Sequence, residues 1–328
     1  MKTIAFFNNK GGVGKTTLVY HLAWLFADMG KRVLVADLDP QANLTSMFLT
    51  EEKLEKLWDP ENQEHQSIMT SLSPLIKGLG DIGTTPTQKI GHNLQLIPGD
   101  LSLSNFEAKL SENWTKCLDR DESAFRVTSS LFRLTQNAAD AFQADIILID
   151  VGPNFGAINR SAMLCADAIV VPLAPDLFSL QGLRNLGPTL KTWRTEWNDR
   201  KKRNPEPSLA LPNGSMIPLG YVIMQFGIRD NRPVKAYDKW AQQIPTTYEN
   251  YLLETTAQPL LGEWDQSQNN HCLGLLKHYR SLMPMAMEAR KPIFHLKSAD
   301  GAIGSHMSGV QSCKQDFEAL ANAILVKL

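Results

Sequence analysis

Short apolar runs alternate along this chain with segments whose apolar residues recur every three or four positions. The runs predict buried strands, and the periodic segments predict amphipathic helices. Strands are predicted at residues 3–7, 32–36, 94–98, 144–150, 168–172 and 216–226. Helices are predicted at residues 18–29, 100–110, 126–142, 155–163 and 310–328. This alternation is typical of a doubly wound α/β fold, with a mostly parallel sheet flanked by helices.

The length of 328 residues allows one large domain or about two ordinary ones. Because the predicted strands extend from residue 3 across most of the chain, we expect a single domain over residues 1–328. Segments of weak periodicity, or rich in charged, proline and glycine residues, interrupt the alternation. We interpret them as insertions near residues 51–92, 111–125, 198–215 and 244–280.

Composition excludes several classes of protein. The net charge is −1, so any surface for nucleic acid or an anionic membrane must be local. The four cysteines are far apart and form no CxxC pair, which argues against a zinc site or a disulfide framework. No apolar run approaches membrane-spanning length, and the first residues are too short an apolar run for a signal peptide. We therefore expect a cytoplasmic protein without integral membrane association.

A glycine-rich loop lies between the first predicted strand and the first predicted helix. Its glycines let backbone amides turn inward, and the helix adds its positive N-terminus, so polyphosphate is the expected ligand. In this arrangement Lys15 neutralises phosphate charge and Thr16 offers its hydroxyl to Mg²⁺. The loop residues expected to bind nucleotide are Lys10, Gly11, Gly12, Val13, Gly14, Lys15, Thr16 and Thr17.

The generic P-loop pattern requires a glycine where this chain has Asn9. A second lysine, Lys10, stands instead before the double glycine. The loop therefore resembles the deviant Walker A box of the ParA/MinD superfamily. The resemblance implies an ATPase in which Lys10 reaches the phosphates of the nucleotide bound by a partner subunit, and hence a homodimer in the ATP state. The alternative, a glycine-rich turn beside a basic helix start, does not explain two lysines at this spacing.

Two carboxylates, Asp37 and Asp39, follow the second predicted strand at positions i and i+2, on one side of an extended backbone. Ligands of open parallel sheets bind at this edge. Taken alone, the pair is better explained as a solvated turn before Pro40. The stretch from Asp37 to Thr45, however, resembles the switch I segment of ParA. The resemblance implies that Asp39 positions the attacking water and that Asp37 supports the metal site from behind its direct ligands. Lys10, Lys15 and Asp39 are then the expected catalytic residues.

A third carboxylate, Asp150, ends the apolar run Ile146-Ile147-Leu148-Ile149. A single aspartate after such a run is common, but beside a phosphate loop it suggests a Walker B acid. With Thr16 and Asp37, Asp150 completes the expected Mg²⁺ site. Family members usually continue with Asp-x-Pro-Pro, whereas this chain has Gly152 in place of the first proline. The carboxylate is retained, but the path of the switch II loop cannot be carried over from the family.

Two further sets of residues are weaker candidates. Gln225, at the end of the last predicted strand, can contact the edge of the base or cap backbone groups. By resemblance to compact ParA proteins, cations in the C-terminal half form a DNA-binding surface, with a solvated helix end as the alternative interpretation. These cations are Lys191, Arg194, Arg229, Arg232 and Lys235.

Together these features resemble the compact, Soj-like ParA proteins. The resemblance implies an ATPase that uses ATP and Mg²⁺, dimerises with ATP and segregates or positions DNA. It also implies binding to DNA without sequence preference, association with the nucleoid, and activation by a ParB-like partner. One alternative is a related ATPase that positions a protein or a membrane-associated cargo, as MinD does; the last residues, 317–328, carry only Lys327 as a cation and do not resemble a membrane helix. Another is electron transfer by an iron–sulfur dimer, for which Cys117 and Cys165 lack the required sequence context.

Overall fold

The computed structural model describes residues 1–59, 66–226, 228–229, 232–233, 239–255 and 269–328, with only the backbone of residues 226, 228, 229, 232 and 233. By its internal contacts the chain forms two compact units. The first unit contains residues 1–6, 26–169 and 191–217. The second unit contains residues 7–25, 170–190 and 218–328. The expectation of one domain with four insertions stays a prediction.

The described strands are β1 (Lys2–Phe6), β2 (Val33–Asp37), β3 (Gln88–Gly91), β4 (Leu94–Ile97), β5 (Ile146–Asp150), β6 (Ala168–Leu173), β7 (Ile217–Phe226), β8 (Ile228–Arg229), β9 (Arg232–Pro233) and β10 (Cys272–Lys277). Eight of them form a sheet in the order β10–β7–β6–β1–β5–β2–β4–β3. The sheet is mostly parallel and flanked by helices, which confirms the predicted fold class.

The described α-helices are α1 (Lys15–Asp28), α2 (Asn43–Phe48), α3 (Glu51–Trp58), α4 (Ile68–Lys77), α5 (Glu107–Lys116), α6 (Glu122–Thr128), α7 (Ser130–Phe142), α8 (Ala157–Leu164), α9 (Leu177–Lys201), α10 (Gln243–Leu252), α11 (Leu282–Ala289) and α12 (Ser305–Lys327). Helix α1 ends two residues before Gly30, which adopts φ +82° and whose N–H donates to the Ala27 carbonyl at 3.0 Å. None of the described helices combines the length and hydropathy needed to cross a bilayer.

In the first unit, β5 lies between β1 and β2 and is parallel to both. All five residues of β5 are buried, as expected for an apolar strand covered on both faces of a parallel sheet. The register places Phe6 level with Asp150, and Asp150 level with Asp37. The carboxyl ends of these three strands therefore meet along one line, and the chain leaves β1 directly into the glycine-rich loop.

The segment from residue 51 onward is more regular than its weak periodicity predicted. It contains α3 and α4, whose N-termini are capped by the Thr50 and Ser67 hydroxyls, and it leads into the strand β3. The helix predicted over residues 100–110 begins instead as a 3-10 helix at Leu101–Phe106 and continues as α5. Asp100 accepts a hydrogen bond from the Ser102 N–H at 2.8 Å, which favours the tight first turn.

In the second unit, β10 lies parallel to β7, at a position where no strand was predicted. Its sequence, Cys-Leu-Gly-Leu-Leu-Lys, contains no β-branched residue and a central glycine, so it lacks the usual strand signal. The glycine is explained by packing against α12. A Cβ on Gly274 would lie 3.3 Å from the Leu320 Cδ1 atom, so the glycine allows this helix to approach the strand closely.

Candidate functional site

The glycine-rich loop of the second unit has the backbone conformation that its glycines permit. Gly12 and Gly14 have φ angles of +74° and +96°, in the left-handed region that other residues rarely adopt. Helix α1 starts immediately afterwards, at Lys15. The first N–H groups of a helix have no acceptor within the helix, so the loop and the helix together present donors suited to an anion.

The entry to this loop is fixed by Asn8, which is buried. The Asn8 Nδ2 atom donates to the Pro172 carbonyl at 2.6 Å, and its Oδ1 atom accepts from the Lys10 N–H at 3.0 Å. One side chain thus ties the start of the loop to β6. Sequence reasoning missed this residue, because an asparagine beside a glycine-rich loop is also an ordinary turn residue.

The Lys10 side chain is held within its own chain. Its Nζ atom forms an ion pair and hydrogen bond with the Asp176 carboxylate and lies 5.8 Å from the centre of the Phe178 ring. The other oxygen of Asp176 accepts from the Ser179 N–H at 2.9 Å, which fixes the carboxylate at the start of α9. Beside it, Leu177 and Phe178 are 50% and 70% exposed, so an apolar surface flanks the lysine.

Two of the predicted acids lie together in the first unit. Asp37 and Asp150 are the last residues of paired strands, and both are fully buried. Burial, and next the neighbouring Asp150 carboxylate, raise the pKa of Asp37 to about 7. Such a pair favours either a proton or a cation, because two buried like charges repel each other.

Thr45 and Gly99 hold Asp37 in this position, and sequence reasoning did not single them out. The Asp37 Oδ2 atom accepts from both the N–H and the hydroxyl of Thr45, each at 2.7 Å. Thr45 in turn accepts from the Gly99 N–H at 2.8 Å. A Cβ on Gly99 would lie 2.9 Å from the Asp37 Cγ atom, so the backbone itself packs against the carboxylate. The Pro-Gly-Asp sequence after β4 was the feature of the sequence that could have indicated this contact.

Asp39 lies two residues beyond the buried pair and is 5% exposed. Its Oδ1 atom accepts from the Gln41 N–H at 3.0 Å. Gly152 lies beside it: a Cβ there would be 3.4 Å from the same Oδ1 atom. The carboxylate is therefore bounded on one side by the backbone of the loop that follows β5.

The described residues contain no group of three or more His, Cys, Asp or Glu arranged to hold a metal ion. Mg²⁺ does not require such a cage, since it keeps several waters and binds through one or two carboxylates plus substrate phosphates. The buried pair of Asp37 and Asp150, with the raised pKa of Asp37, has the donor chemistry of that kind of site.

A cavity of about 110 Å³ lies in the second unit, next to the glycine-rich loop. Its lining is mostly apolar, with a few polar groups at the rim, a composition suited to a flat heteroaromatic ring. The lining residues include Val13, Gly14, Thr17, His21, Met224, Gln225, His278, Ile293 and Phe317.

His21 forms one wall of this cavity, and its neighbours determine its tautomer. The Nε2 atom accepts from the Ile293 N–H at 3.1 Å, so the ring proton is on Nδ1, which donates to the Thr17 carbonyl at 2.8 Å. The ring also stacks on Phe317 with a centroid distance of 5.0 Å. Burial lowers the pKa of His21 to about 4, so this side chain is neutral near pH 7.

Gln225 has φ +55° and is exposed, and its Nε2 atom lies 3.5 Å from the Gly12 carbonyl. The structure thus shows the backbone-capping contact that was one of the two interpretations. A contact with the edge of a base stays a prediction.

The predicted DNA-binding cations are described only in part. Lys191 is exposed and Arg194 is half-buried, both on α9. Arg229 and Arg232 face each other in the antiparallel pair β8–β9, where only the backbone is described. Lys235 lies outside the described residues.

Comparison with known proteins adds family evidence. A family model described as an AAA domain matches residues 1–202. The chain is 29% identical over 200 residues to the chromosome partitioning protein ParA of Caulobacter vibrioides, covering 61% of this chain and 66% of that protein. It is 31% identical over 190 residues to the sporulation initiation inhibitor protein Soj of Bacillus subtilis, covering 58% and 65%. The matched segments thus span just under two thirds of these relatives.

Among solved structures, the chain is similar to protein DIP2308 from Corynebacterium diphtheriae. The TM-score is 0.71 at 25% sequence identity, with 100% of this chain and 99% of that chain covered. The similarity in fold therefore extends beyond residues 1–202, the part that the family model matches.

Proposed function

The chain belongs to the AAA domain family and resembles the partition ATPases of the ParA/MinD superfamily, and from this premise we propose that it is a Mg²⁺-dependent ATPase that dimerises with ATP and positions DNA. The observation that carries the proposal is the loop of residues 10–17, with two left-handed glycines and α1 directly behind it. We propose that it acts in the cytoplasm.

In this proposal the loop binds the phosphates of ATP. Backbone N–H groups of residues 11–14 and the first turn of α1 donate to phosphate oxygens, and Lys15 neutralises their charge. The Thr16 hydroxyl would be a ligand of Mg²⁺, and Thr17 would complete the loop. The cavity beside the loop accepts the adenine ring, with His21 and Phe317 as part of its wall and Gln225 at its rim.

Asp37 and Asp150 would hold Mg²⁺ through the carboxylate and water ligands that this ion prefers. When bound, the ion neutralises negative charge on the phosphates. The raised pKa of Asp37 supports this assignment, because a cation removes the repulsion that the buried pair otherwise experiences.

Asp39 would orient the water that attacks the γ-phosphate. The hydrogen bond from the Gln41 N–H and the adjacent Gly152 fix one oxygen, and the other would accept a hydrogen bond from that water. Phosphoryl transfer needs little covalent chemistry from the protein, so positioning of this kind, with the charges of Lys10 and Lys15, accounts for most of the catalysis.

Lys10 would serve the nucleotide of a second copy of the chain. This requires its ion pair with Asp176 to open, and a partly exposed pair of this type is worth no more than about 1 kcal/mol. The exposed Leu177 and Phe178 beside it provide apolar surface for the second copy.

DNA is the proposed cargo, through Lys191, Arg194, Arg229, Arg232 and Lys235, with a ParB-like protein as the activating partner. Each phosphate that a dimer neutralises adds about 0.9 to the slope of log affinity against log salt, so binding should require ATP, ignore sequence and weaken steeply with salt. If DNA does not bind, a protein or membrane-associated cargo replaces DNA in this proposal.

ATP turnover is tested first, with wild type and Asp39→Ala under identical Mg²⁺ concentrations. Wild type should hydrolyse ATP slowly, while Asp39→Ala should bind ATP with unchanged affinity, fail to turn it over and accumulate as a dimer in light scattering. Wild-type hydrolysis in the variant would show that another group orients the water.

DNA binding is tested by fluorescence anisotropy of a random duplex with ADP and with ATP over a salt series. Lys191→Glu is compared with Lys314→Glu, a matched exposed lysine on α12. Only Lys191→Glu should weaken the ATP-dependent binding. Equal, weak binding in both nucleotide states would reject DNA and favour a protein cargo.

A further inference from the structure

The loop between β5 and α8 is organised around one buried side chain, Asn159. The Asn159 Oδ1 atom accepts from the Gly152 N–H at 3.1 Å, and its Nδ2 atom donates to the Gly152 carbonyl at 2.8 Å. The same nitrogen donates to the Asn154 carbonyl at 2.7 Å and lies 3.2 Å from the Asn154 Oδ1 atom. A single amide therefore binds both backbone groups of Gly152 and closes the loop.

This arrangement specifies asparagine at position 159. Its side chain is 1% exposed, so any backbone group left without it would be a buried polar group without a partner. Only a primary amide combines one acceptor with two donors at this reach. Where family members usually have a proline, which has no N–H, Gly152 adds a donor, and the Asn159 Oδ1 atom satisfies it.

Asn159 itself is held on a fixed support. It is the third residue of α8, and the Glu107 carboxylate on α5 accepts from the N–H groups of Ala157 and Ile158, the latter at 2.9 Å. A carboxylate in this position also interacts favourably with the positive end of the helix. The amide of Asn159 is thus fixed by two helices rather than by the loop that it binds.

The segment that Asn159 binds is the one that bounds Asp39. Gly152 approaches the Asp39 Oδ1 atom so closely that a Cβ would lie 3.4 Å from it, and the preceding Asp150 carbonyl accepts from the Leu38 N–H at 2.9 Å. The loop after β5 and the loop after β2 therefore lie against each other, and a shift of Gly152 changes the space that the Asp39 carboxylate can occupy.

We propose that Asn159 is a positioning residue for ATP hydrolysis: it fixes Gly152, and through Gly152 it fixes the orientation of Asp39. The inference rests on the proposed function, in which Asp39 orients the attacking water. A displacement of about 1 Å in a catalytic arrangement can cost about a hundredfold in rate, so a side chain that touches neither ATP nor water can control turnover.

The test is Asn159→Ala, measured for turnover, ATP affinity and ATP-dependent dimer. Turnover should fall by about ten- to a hundredfold, while ATP affinity stays within about twofold and the ATP dimer accumulates as it does in Asp39→Ala. A merely structural role would instead lower the unfolding midpoint and ATP affinity together. Wild-type turnover, or a parallel loss of stability and affinity, would overturn the inference.

Asn113→Ala is the matched control. Asn113 is also a buried asparagine of the first unit, and its Nδ2 atom donates to the Lys109 carbonyl at 2.8 Å within α5. Its loss should lower stability without changing turnover. If Asn159→Ala does not fold, Asn159→Asp decides the question, because it keeps the shape and the acceptor for the Gly152 N–H but removes the Nδ2 donors. It should show the same loss of turnover, and wild-type turnover would overturn the inference.

A double-mutant cycle separates this inference from the proposed function. In the Asp39→Ala background, adding Asn159→Ala should cause no further loss of residual hydrolysis, because the group that it positions is already absent. Independent, multiplicative losses would overturn the inference and leave the ATPase standing. A wild-type protein without ATPase activity would reject the proposed function, and the role of Asn159 with it.

Discussion

Asp37 and Asp150 in the first unit are fully buried side by side, whereas Lys10 in the second unit is about a third exposed and already paired with Asp176. The buried acids repel each other, and burial alone already opposes the charge on Asp37. The lysine has a partner in its own chain. A bound cation should therefore stabilise the two acids. The lysine, in contrast, must break its ion pair with Asp176 before it can bind another molecule.

Lys15→Ala should have the largest effect, because it removes the central cation of the loop and leaves phosphate charge unneutralised. We expect ATP affinity to fall by about a hundredfold or more, measured by calorimetry. Lys56→Ala, on the exposed face of α3, is the control and should bind normally. Undiminished affinity in Lys15→Ala would remove Lys15 from the nucleotide site.

Lys10→Ala should separate binding from assembly. The variant should bind ATP but remain a monomer in light scattering, since the lysine acts on the nucleotide of the other copy. For the same reason it should not hydrolyse ATP. Stability should change by less than about 1 kcal/mol, because about a third of each side chain in the pair with Asp176 is exposed. An ATP-dependent dimer of normal stability would mean that Lys10 serves only its own loop.

Asp37→Asn should stabilise the nucleotide-free protein above pH 7. The folded pKa of about 7 lies above the ordinary value of 3.8, so the folded state binds the extra proton and stability falls as pH rises through that window. At pH 8 the substitution should raise the free energy of unfolding by about 4 kcal/mol, measured in urea.

The control for this variant is Asp199→Asn, an exposed position on α9 that should show no such gain. Mg²⁺ with ATP should stabilise wild type but not Asp37→Asn. If Asp37→Asn loses stability relative to wild type, and loses as much at pH 8 as at pH 4, Asp37 is not a buried acid repelled by its neighbour.

His21 should give the opposite pH dependence and the smallest effect. Its folded pKa of about 4 lies below the ordinary 6.5, so the unfolded state binds the proton and stability is lost as pH falls from 6.5 towards 4. Between pH 7 and pH 5 the contribution of His21 to stability should fall by about 2 kcal/mol, while that of Asp37 rises by a similar amount.

In His21→Gln this contribution to the slope of stability against pH should disappear, whatever the substitution does to stability at a single pH. Because the contributions of Asp37 and His21 oppose each other between pH 4 and pH 6.5, Asp37→Asn should lose stability as pH falls through this range, and His21→Gln should gain it. An unchanged slope in His21→Gln would show that His21 does not carry the acid sensitivity.

The sequence predicted the sheet well where strands are apolar and rich in β-branched residues, as in Ile146–Asp150. It missed β10, because the glycine at position 274 lowers the strand propensity of this segment. That glycine allows close packing against Leu320. Among candidate site residues, the acids at strand ends could be read from their position. Asn159 could not, because an asparagine near a helix start usually predicts a cap, and its partner Gly152 is seven residues away.

The antiparallel strand β3 closes one edge of an otherwise parallel run of strands in the first unit. It is four residues long, carries exposed Lys89 and has an irregular register against β4. A short, charged and irregular edge is a poor template for another strand. Copies of this chain are therefore discouraged from joining edge to edge here into a larger sheet, which keeps backbone-mediated polymerisation from competing with association through side-chain surfaces.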